Sequence, residues 1–262
     1  MLGLNCETNI RIMARLKKMP GLITMITMAV LLLLSGSFAA ANIPLLASYA
    51  DGSFFKDPKN ISKTVNISTN PEIALSGKYR YVTWQEDVAG NTEIFFTRST
   101  DGGKTFEKPH SISGNVLGSV NPAVAAYGKN VYVTWQEGPT GADEIFFSVS
   151  NDRGDQFDKP KNISKNPGAS ELPRIDVFGD NVFVVWEQEI PGAPVFTFDI
   201  FITGSDNGGD DFDEPKPKNI SNNKGESRNA DISISRDTAY VVWEDDQGIG
   251  GMLDIFFNLG KE

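Results

Sequence analysis

The feature that most constrains this chain is a sequence pattern of about 50 residues that occurs four times. A tryptophan anchors each copy, and successive anchors are separated by 51, 51 and 57 residues. The four anchors are Trp84, Trp135, Trp186 and Trp243. A period near 50, with no sustained helical periodicity, is typical of the blades of a β-propeller. We therefore expect an all-β fold, a small β-propeller with one blade for each copy.

Each blade is predicted to contain four antiparallel strands. The tryptophan strand is apolar on both faces in the later copies, as expected for a strand covered by a neighbouring sheet on each side. The inner strands are expected to begin after Pro71, Pro122, Pro173 and Ala230, the third strands at Glu93, Glu144, Asp199 and Asp254, and the terminal strands to contain the pairs Ile61-Ser62, Ile112-Ser113, Ile163-Ser164 and Ile220-Ser221. The tryptophans are predicted to pack between blades, and the alternative is that they form stacking platforms for sugars.

The repeat units span about 71–113, 122–164, 173–221 and 230–258, and the last one lacks a terminal strand. Residues 49–62 contain what is missing, a degenerate turn at Asp51-Gly52 followed by Ile61-Ser62. We therefore expect the N-terminal strand to complete the last blade and close a ring of four four-stranded blades, which removes free sheet edges. The alternative is that these residues are a fragment of a longer propeller.

The N-terminal 41 residues are predicted to be a secretory signal peptide. Arg11, Arg15, Lys17 and Lys18 precede an apolar run over 22–34, and small residues at 39–41 provide a cleavage site. The domain would then cover residues 42–262, in a protein that is secreted or displayed at the cell surface. If the segment is not cleaved, it would be a membrane anchor and the only contact of the protein with a membrane.

Composition excludes several classes of function. The net charge of −10 repels phosphate backbones, so we expect no nucleic-acid partner. Cys6, the only cysteine, lies in the predicted signal peptide, so the mature domain has no disulfide and depends on packing. His110 is the only histidine. No metal site and no cofactor are predicted, because the acidic residues near Asp206 lack the ligand order of a calcium loop.

A second motif occurs three times between the third and the terminal strand. The copies read STDGGKTF from Ser99, SNDRGDQF from Ser150 and SDNGGDDF from Ser205, and we name them box 1, box 2 and box 3. They resemble the Asp-box (BNR) repeat of sialidase-like β-propellers, although box 2 has Gln156 at the Thr position and box 3 has Asn207 at the Asp position.

The boxes are predicted to be structural turns. The Asp carboxylates would accept backbone N–H groups of the turn, the Gly at the fifth position would supply positive φ, and the Phe would cover the blade edge. The residues with these roles are Ser99, Asp101, Gly103 and Phe106 in box 1, Ser150, Asp152, Gly154 and Phe157 in box 2, and Ser205, Asn207, Gly209 and Phe212 in box 3.

The resemblance implies that a ligand binds on the face opposite the boxes. That face would contain the residues that follow the tryptophans and those that begin the inner strands. The candidates are Glu86, Glu137, Arg174, Glu187, Glu189, Arg228, Glu244 and Asp245. The insertion over 190–198 in the third copy is a further candidate contact surface, with packing at the blade edge as the alternative.

Sialidases of this family need three arginines, a Tyr–Glu pair and an acidic proton donor. Here Arg174 and Arg228 alone occupy suitable positions, and the predicted carboxylates would repel an anionic sugar. We therefore predict a non-catalytic module that binds a glycan or a protein, with no catalytic residue assigned. The alternative is a sialidase or another glycoside hydrolase that uses paired carboxylates.

Overall fold

A computed structural model describes residues 56–114, 117–139, 141–192, 197–212, 216–248 and 252–261. These residues form fifteen β-strands and no helix, so nothing in the described ranges is a helix able to cross a membrane. The predicted signal peptide and residues 49–55 lie outside the described residues. Residues 60–262 belong to one compact unit.

The strands form four antiparallel sheets that follow the four sequence repeats. Sheet 1 contains β1 (Ser68–Ser76), β2 (Tyr79–Val88), β3 (Asn91–Ser99) and β4 (His110–Ser111), and sheet 2 contains β5 (Ser119–Tyr127), β6 (Asn130–Glu137), β7 (Glu144–Ser150) and β8 (Lys161–Asn162). Sheet 3 contains β9 (Ser170–Phe178), β10 (Asn181–Glu189), β11 (Phe198–Ser205) and β12 (Lys218–Asn219), and sheet 4 contains β13 (Ser227–Ser235), β14 (Thr238–Asp245) and β15 (Asp254–Lys261).

The inner strands β1, β5, β9 and β13 begin four residues earlier than the sequence predicted. Each contains a bulge, in which two residues lie opposite a single residue of the tryptophan strand. In β1, Pro71 is one of these two residues. The residue before each proline, or before Ala230, has a positive φ between 51° and 55°. The proline positions are therefore inside the inner strands, where the bulge accommodates them.

The cores lie between neighbouring sheets, and the packing role predicted for the tryptophans is confirmed. Trp135 and Trp186 are fully buried, and Trp84 and Trp243 are only 3% and 4% exposed. Trp186 of sheet 3 packs with Ile145 of sheet 2 in one apolar cluster. The inner strands contact one another in the order β1, β5, β9 and β13, so each sheet covers the next.

Sheet 4 differs from the prediction, since it has three strands within the described residues. Residues 57–62 form no strand and do not pair with β15. They make local hydrogen bonds instead, in which the Asn60 side-chain oxygen accepts from the Ser62 hydroxyl and from the Lys63 backbone N–H. The predicted ring closure is therefore not observed.

Candidate functional site

At the end of each sheet away from the boxes, the tryptophan is fixed by a hydrogen bond within its own strand. The indole N–H donates to the side chain two residues later, at 3.0 Å from Trp84 to Glu86 and 2.8 Å from Trp135 to Glu137. In sheets 3 and 4 the acceptors are Gln188, at 3.1 Å, and Asp245, at 3.0 Å. The first serine of each inner strand, Ser68, Ser119, Ser170 or Ser227, donates to the same acceptor.

This arrangement changes the interpretation of three predicted ligand-face residues. Glu86, Glu137 and Asp245 are buried rather than open to a ligand, because each joins the tryptophan strand to the inner strand. Burial alone would raise the pKa of Glu86, but hydrogen bonds from Trp84 and its other partners hold that pKa below its ordinary value. The same balance of burial and hydrogen bonds lowers the pKa of Asp245.

The residue directly after each tryptophan connects one sheet to the next. Gln85, Gln136 and Glu187 accept the backbone N–H of the positive-φ bulge residue in the following sheet. These donors are Asn121 at 3.0 Å, Leu172 at 3.4 Å and Asn229 at 2.8 Å. Glu244, the equivalent residue of sheet 4, accepts from the Asn229 side chain at 3.0 Å. Glu187 and Glu244, both predicted as ligand contacts, thus have hydrogen-bond partners within the fold.

Arg228 is also held by structural partners at the junction of sheets 3 and 4. Its guanidinium donates to buried Glu187 at 2.7 Å and to Glu226 at 2.7 Å, and it lies 3.7 Å from the centre of the Phe198 ring. Burial alone would lower the pKa of Arg228, but these carboxylates raise it above its ordinary value. Glu189 accepts the backbone N–H of Ala169 at 3.1 Å. Residues 193–196 of the insertion lie outside the described residues, and its last residue, Phe198, is buried.

Arg174 is the predicted candidate that the structure places beside open space. It lies with Glu72, Asn229 and Asp231 around a cavity of about 420 Å³. The other lining residues are Ala123, Val124, Ile175 and Ala230, so all four inner strands contribute. The Arg174 guanidinium donates to the carbonyl of Pro173 at 3.0 Å, and no carboxylate of the described residues forms an ion pair with it.

Glu72 and Asp231 were missed by the sequence analysis. They occupy the same repeat position as Arg174, the first residue after the bulge, where sheet 2 has Ala123. A charged residue at this position in three of four repeats is the signal that could have identified them. Ala123 shows that the fold does not require a charge at this position. One oxygen of the Asp231 carboxylate accepts the backbone N–H of Ile232 at 3.0 Å.

The boxes form the turns that the sequence predicted. The serine hydroxyls of boxes 1, 2 and 3 accept the backbone N–H of Gly103, Gly154 and Gly209 at 2.8–3.0 Å, and these glycines have φ between 81° and 91°. The side chains of Asp101, Asp152 and Asn207 accept the backbone N–H four residues later. These turns follow the third strand and lie at the opposite end of each sheet from the tryptophan acceptors.

The phenylalanines of box 2 and box 3 pack against the preceding sheet. The ring of Phe157 lies 4.8 Å from that of Phe96, and the ring of Phe212 lies 4.8 Å from that of Phe147. Box 2 and box 3 therefore help to hold neighbouring sheets together. No group of three or more His, Cys, Asp or Glu side chains within the described ranges is arranged to bind a metal ion.

No protein-family model matches the sequence, and no curated protein matches it. Among solved structures, the chain is similar to the intramolecular trans-sialidase from Ruminococcus gnavus in complex with oseltamivir carboxylate, with a TM-score of 0.54 and 9% identity over 73% of this chain and 68% of that one. It is similar to Trypanosoma rangeli sialidase in complex with sialic acid, with a TM-score of 0.50 and 12% identity over 73% of this chain and 36% of that one.

A third similar structure is an α-L-arabinofuranosidase mutant from Fusarium graminearum in complex with an iminosugar inhibitor. The TM-score is 0.51 and the identity 14%, over 74% of this chain and 63% of that one. The chain thus spans less than two thirds of the last two proteins. At such identities the likeness concerns the fold alone, and this chain has the β-propeller fold found in sialidase-like glycosidases.

Proposed function

We propose that this protein is an exported, non-catalytic propeller that binds a carbohydrate in the cavity lined by Arg174. The observation that carries the proposal is that Glu72, Arg174 and Asp231 occupy one repeat position and line one cavity. Its volume, about 420 Å³, falls within the range of roughly 300–1,000 Å³ typical of small-molecule sites. The similar structures are glycosidases, and the choice of a sugar as the class of ligand rests on analogy with them.

The charges of the cavity favour a neutral sugar over an acidic one. Arg174 provides N–H donors, while Glu72 and Asp231 provide acceptors, so hydroxyl groups that both donate and accept would find partners. An anionic sugar attracted by Arg174 would also meet two carboxylates of the same sign as its own charge. We therefore expect neutral oligosaccharides to bind more tightly than sialosides.

A glycan microarray followed by calorimetry on the selected oligosaccharide tests this function. Arg174→Ala should weaken binding by about 10- to 100-fold, the equivalent of one hydrogen bond from a charged donor. Lys159→Ala, which removes an exposed positive charge on the box side, is the matched control and should leave affinity unchanged. If no glycan binds, or if both variants bind like the wild type, carbohydrate binding in this cavity is wrong.

A glycoside hydrolase is the second candidate, because two carboxylates, Glu72 and Asp231, lie around the same cavity. Hydrolysis of a glycoside needs such a pair, one acting as acid and the other as base or nucleophile. Fluorogenic sialoside and arabinofuranoside substrates distinguish the candidates. The binding module should release no product, whereas turnover that is lost in both Glu72→Gln and Asp231→Asn would establish the enzyme.

A further inference from the structure

A pocket of about 180 Å³ with an apolar lining lies between sheets 3 and 4. Sheet 3 contributes Phe183 and Ile202 to this lining, and sheet 4 contributes Val241 and Leu259. The Leu259 side chain is 53% exposed, so the pocket is open to solvent. Since an apolar cavity of about 150 Å³ holds a benzene molecule, this pocket has room for one aromatic ring.

Three lysines border the pocket, whereas no aspartate or glutamate of the described residues does. They are Lys216, Lys218 and Lys261. Within the described ranges, no carboxylate forms an ion pair with Lys216 or Lys218. Lys261 lies 3.5 Å from the Asp237 carboxylate, and because both side chains are more than half exposed, this pair contributes little. In a chain with a net charge of −10, such a group of positive charges favours an anionic ligand.

The junction between sheets 2 and 3 shows what occupies the equivalent place there. Phe147 and Lys161 lie opposite each other in sheet 2. Phe212 of box 3 packs on Phe147, with the ring centres 4.8 Å apart. Nζ of Lys161 donates to two backbone carbonyls of the same box, at 2.8 Å and 3.1 Å. This junction thus combines an aromatic ring with oxygen acceptors for a lysine.

Ile202 and Lys218 are the repeat equivalents of Phe147 and Lys161 in sheet 3, and they also lie opposite each other. Both line the pocket, and no residue of a box is among the lining residues. The apolar surface beside Ile202 and the Lys218 ammonium are therefore open to a ligand that brings a ring and acceptor oxygens together.

We propose that this pocket binds a small aromatic carboxylate, with its ring against Ile202 and its carboxylate at Lys218. The ring removes apolar surface from water, and the carboxylate accepts charge-assisted hydrogen bonds from the ammonium. Lys216 and Lys261 add positive charge around the carboxylate. None of the residues that line this pocket borders the Arg174 cavity, so the two sites are separate and the proposal does not depend on carbohydrate binding.

Titration of the full-length protein with phenylacetate, followed by NMR of labelled methyl groups, tests the site. The methyl signals of Ile202 and Val241 should shift and saturate, while those of Ile175 at the Arg174 cavity should stay unchanged. Phenylacetamide has the ring without the charge and should bind about tenfold more weakly, and acetate has the charge without the ring and should not saturate the site. Equal affinity for phenylacetate and phenylacetamide would overturn the proposal, as would shifts at Ile175 in place of Ile202.

Substitution of one lysine tests the contribution of the charge. Lys218→Gln should weaken the binding of phenylacetate about fivefold, as expected for the loss of one exposed ion pair. Lys129→Gln removes an exposed lysine that does not line the pocket, and this matched control should bind like the wild type. Unchanged affinity in Lys218→Gln, or the same loss in both variants, would contradict the proposal. A wild type that binds no phenylacetate would also refute it, and this result would leave carbohydrate binding at Arg174 unaffected.

Discussion

The indole N–H of Trp135 donates to the Glu137 carboxylate at 2.8 Å, and both side chains are buried. Ser119 donates to the same carboxylate from the inner strand at 3.3 Å. One acceptor thus fixes a large aromatic side chain and the start of a neighbouring strand. Because Gln188 serves the same purpose in sheet 3, the fold requires an acceptor oxygen at this position and not a negative charge.

Glu137→Gln should therefore be nearly neutral, whereas Glu137→Ala should lower the free energy of unfolding by about 1–3 kcal/mol. The alanine leaves the buried indole N–H without an acceptor, which is the costly case for a hydrogen bond. Urea denaturation of both variants and the wild type measures the difference. Equal destabilisation by the two substitutions would show that the charge itself matters.

Tyr81→Phe should leave the protein equally stable or make it more stable, by up to about 1 kcal/mol. The Tyr81 hydroxyl is buried without a hydrogen-bond partner among the described residues, and burial raises its pKa. Sheet 3 already has Phe183 at this repeat position. Thermal and urea unfolding provide the measurement.

Tyr132→Phe is the matched control for that substitution. The Tyr132 hydroxyl accepts from the Asn130 side chain at 3.1 Å, so its removal should cost about 1 kcal/mol. If both tyrosine variants lose the same stability, the partner of the hydroxyl does not determine the outcome.

Gly154→Ala should destabilise the protein by about 1–3 kcal/mol more than Gly102→Ala, the usual range for overpacking. Both glycines have a positive φ, 81° and 79°, so the backbone strain is alike. A Cβ at Gly154 would lie 2.6 Å from the Phe96 ring, while a Cβ at Gly102 would meet nothing within 4 Å. The difference in unfolding free energy isolates the clash, and a difference near zero would show that the ring moves freely.

Asp101→Asn should reduce the loss of stability in acid. Hydrogen bonds from the Thr105 hydroxyl and backbone, and then from Ser99, lower the Asp101 pKa from its ordinary 3.8. A lowered pKa stabilises the folded state above pH 3.8, and this contribution disappears as the pH falls through the folded-state pKa. Unfolding free energies at pH 7 and pH 3 should therefore differ less in Asp101→Asn than in the wild type.

Asn207→Asp is the complementary variant, since box 3 naturally has the amide. It should gain stability at pH 7 relative to pH 3, because the new carboxylate can accept the Asp211 backbone N–H now accepted by Asn207 at 3.1 Å. If neither variant alters the dependence of stability on pH, the box carboxylate does not contribute to acid sensitivity.

The sequence predicts the sheets and their order well, because every repeat contains the same strand pattern and each strand pairs with the next strand in the sequence. The predicted starts of the inner strands are too late. A proline such as Pro71 usually marks the start of a strand, and the sequence does not show that a bulge accommodates it inside β1. The hydrogen bond between Trp135 and Glu137 can be predicted from the sequence, because side chains two residues apart in a strand lie on the same face. Trp135 and Glu137 have that spacing.

The contacts between sheets are less predictable. Arg228 faces Glu187 from 41 residues away, and it stacks on Phe198, which belongs to an insertion without a counterpart in the other repeats. The sequence does not give the angle between neighbouring sheets. It therefore does not show whether Arg228 forms an ion pair with Glu187 or is exposed to solvent. Arg174 and Arg228 both lie near the start of an inner strand, yet of the two only Arg174 borders the cavity.

The hydrogen bond from Leu172 to Gln136 has a consequence for how such a chain can change in length. Its acceptor belongs to one repeat and its donor to the next, and the pairs Asn121–Gln85 and Asn229–Glu187 follow the same rule. A tandem duplication of one repeat would copy a donor together with an acceptor, so the new blade would possess both halves of its contacts from the start. Loss of one repeat would join an existing donor to an existing acceptor. Blade number can therefore evolve by whole-repeat recombination without the invention of any new interface.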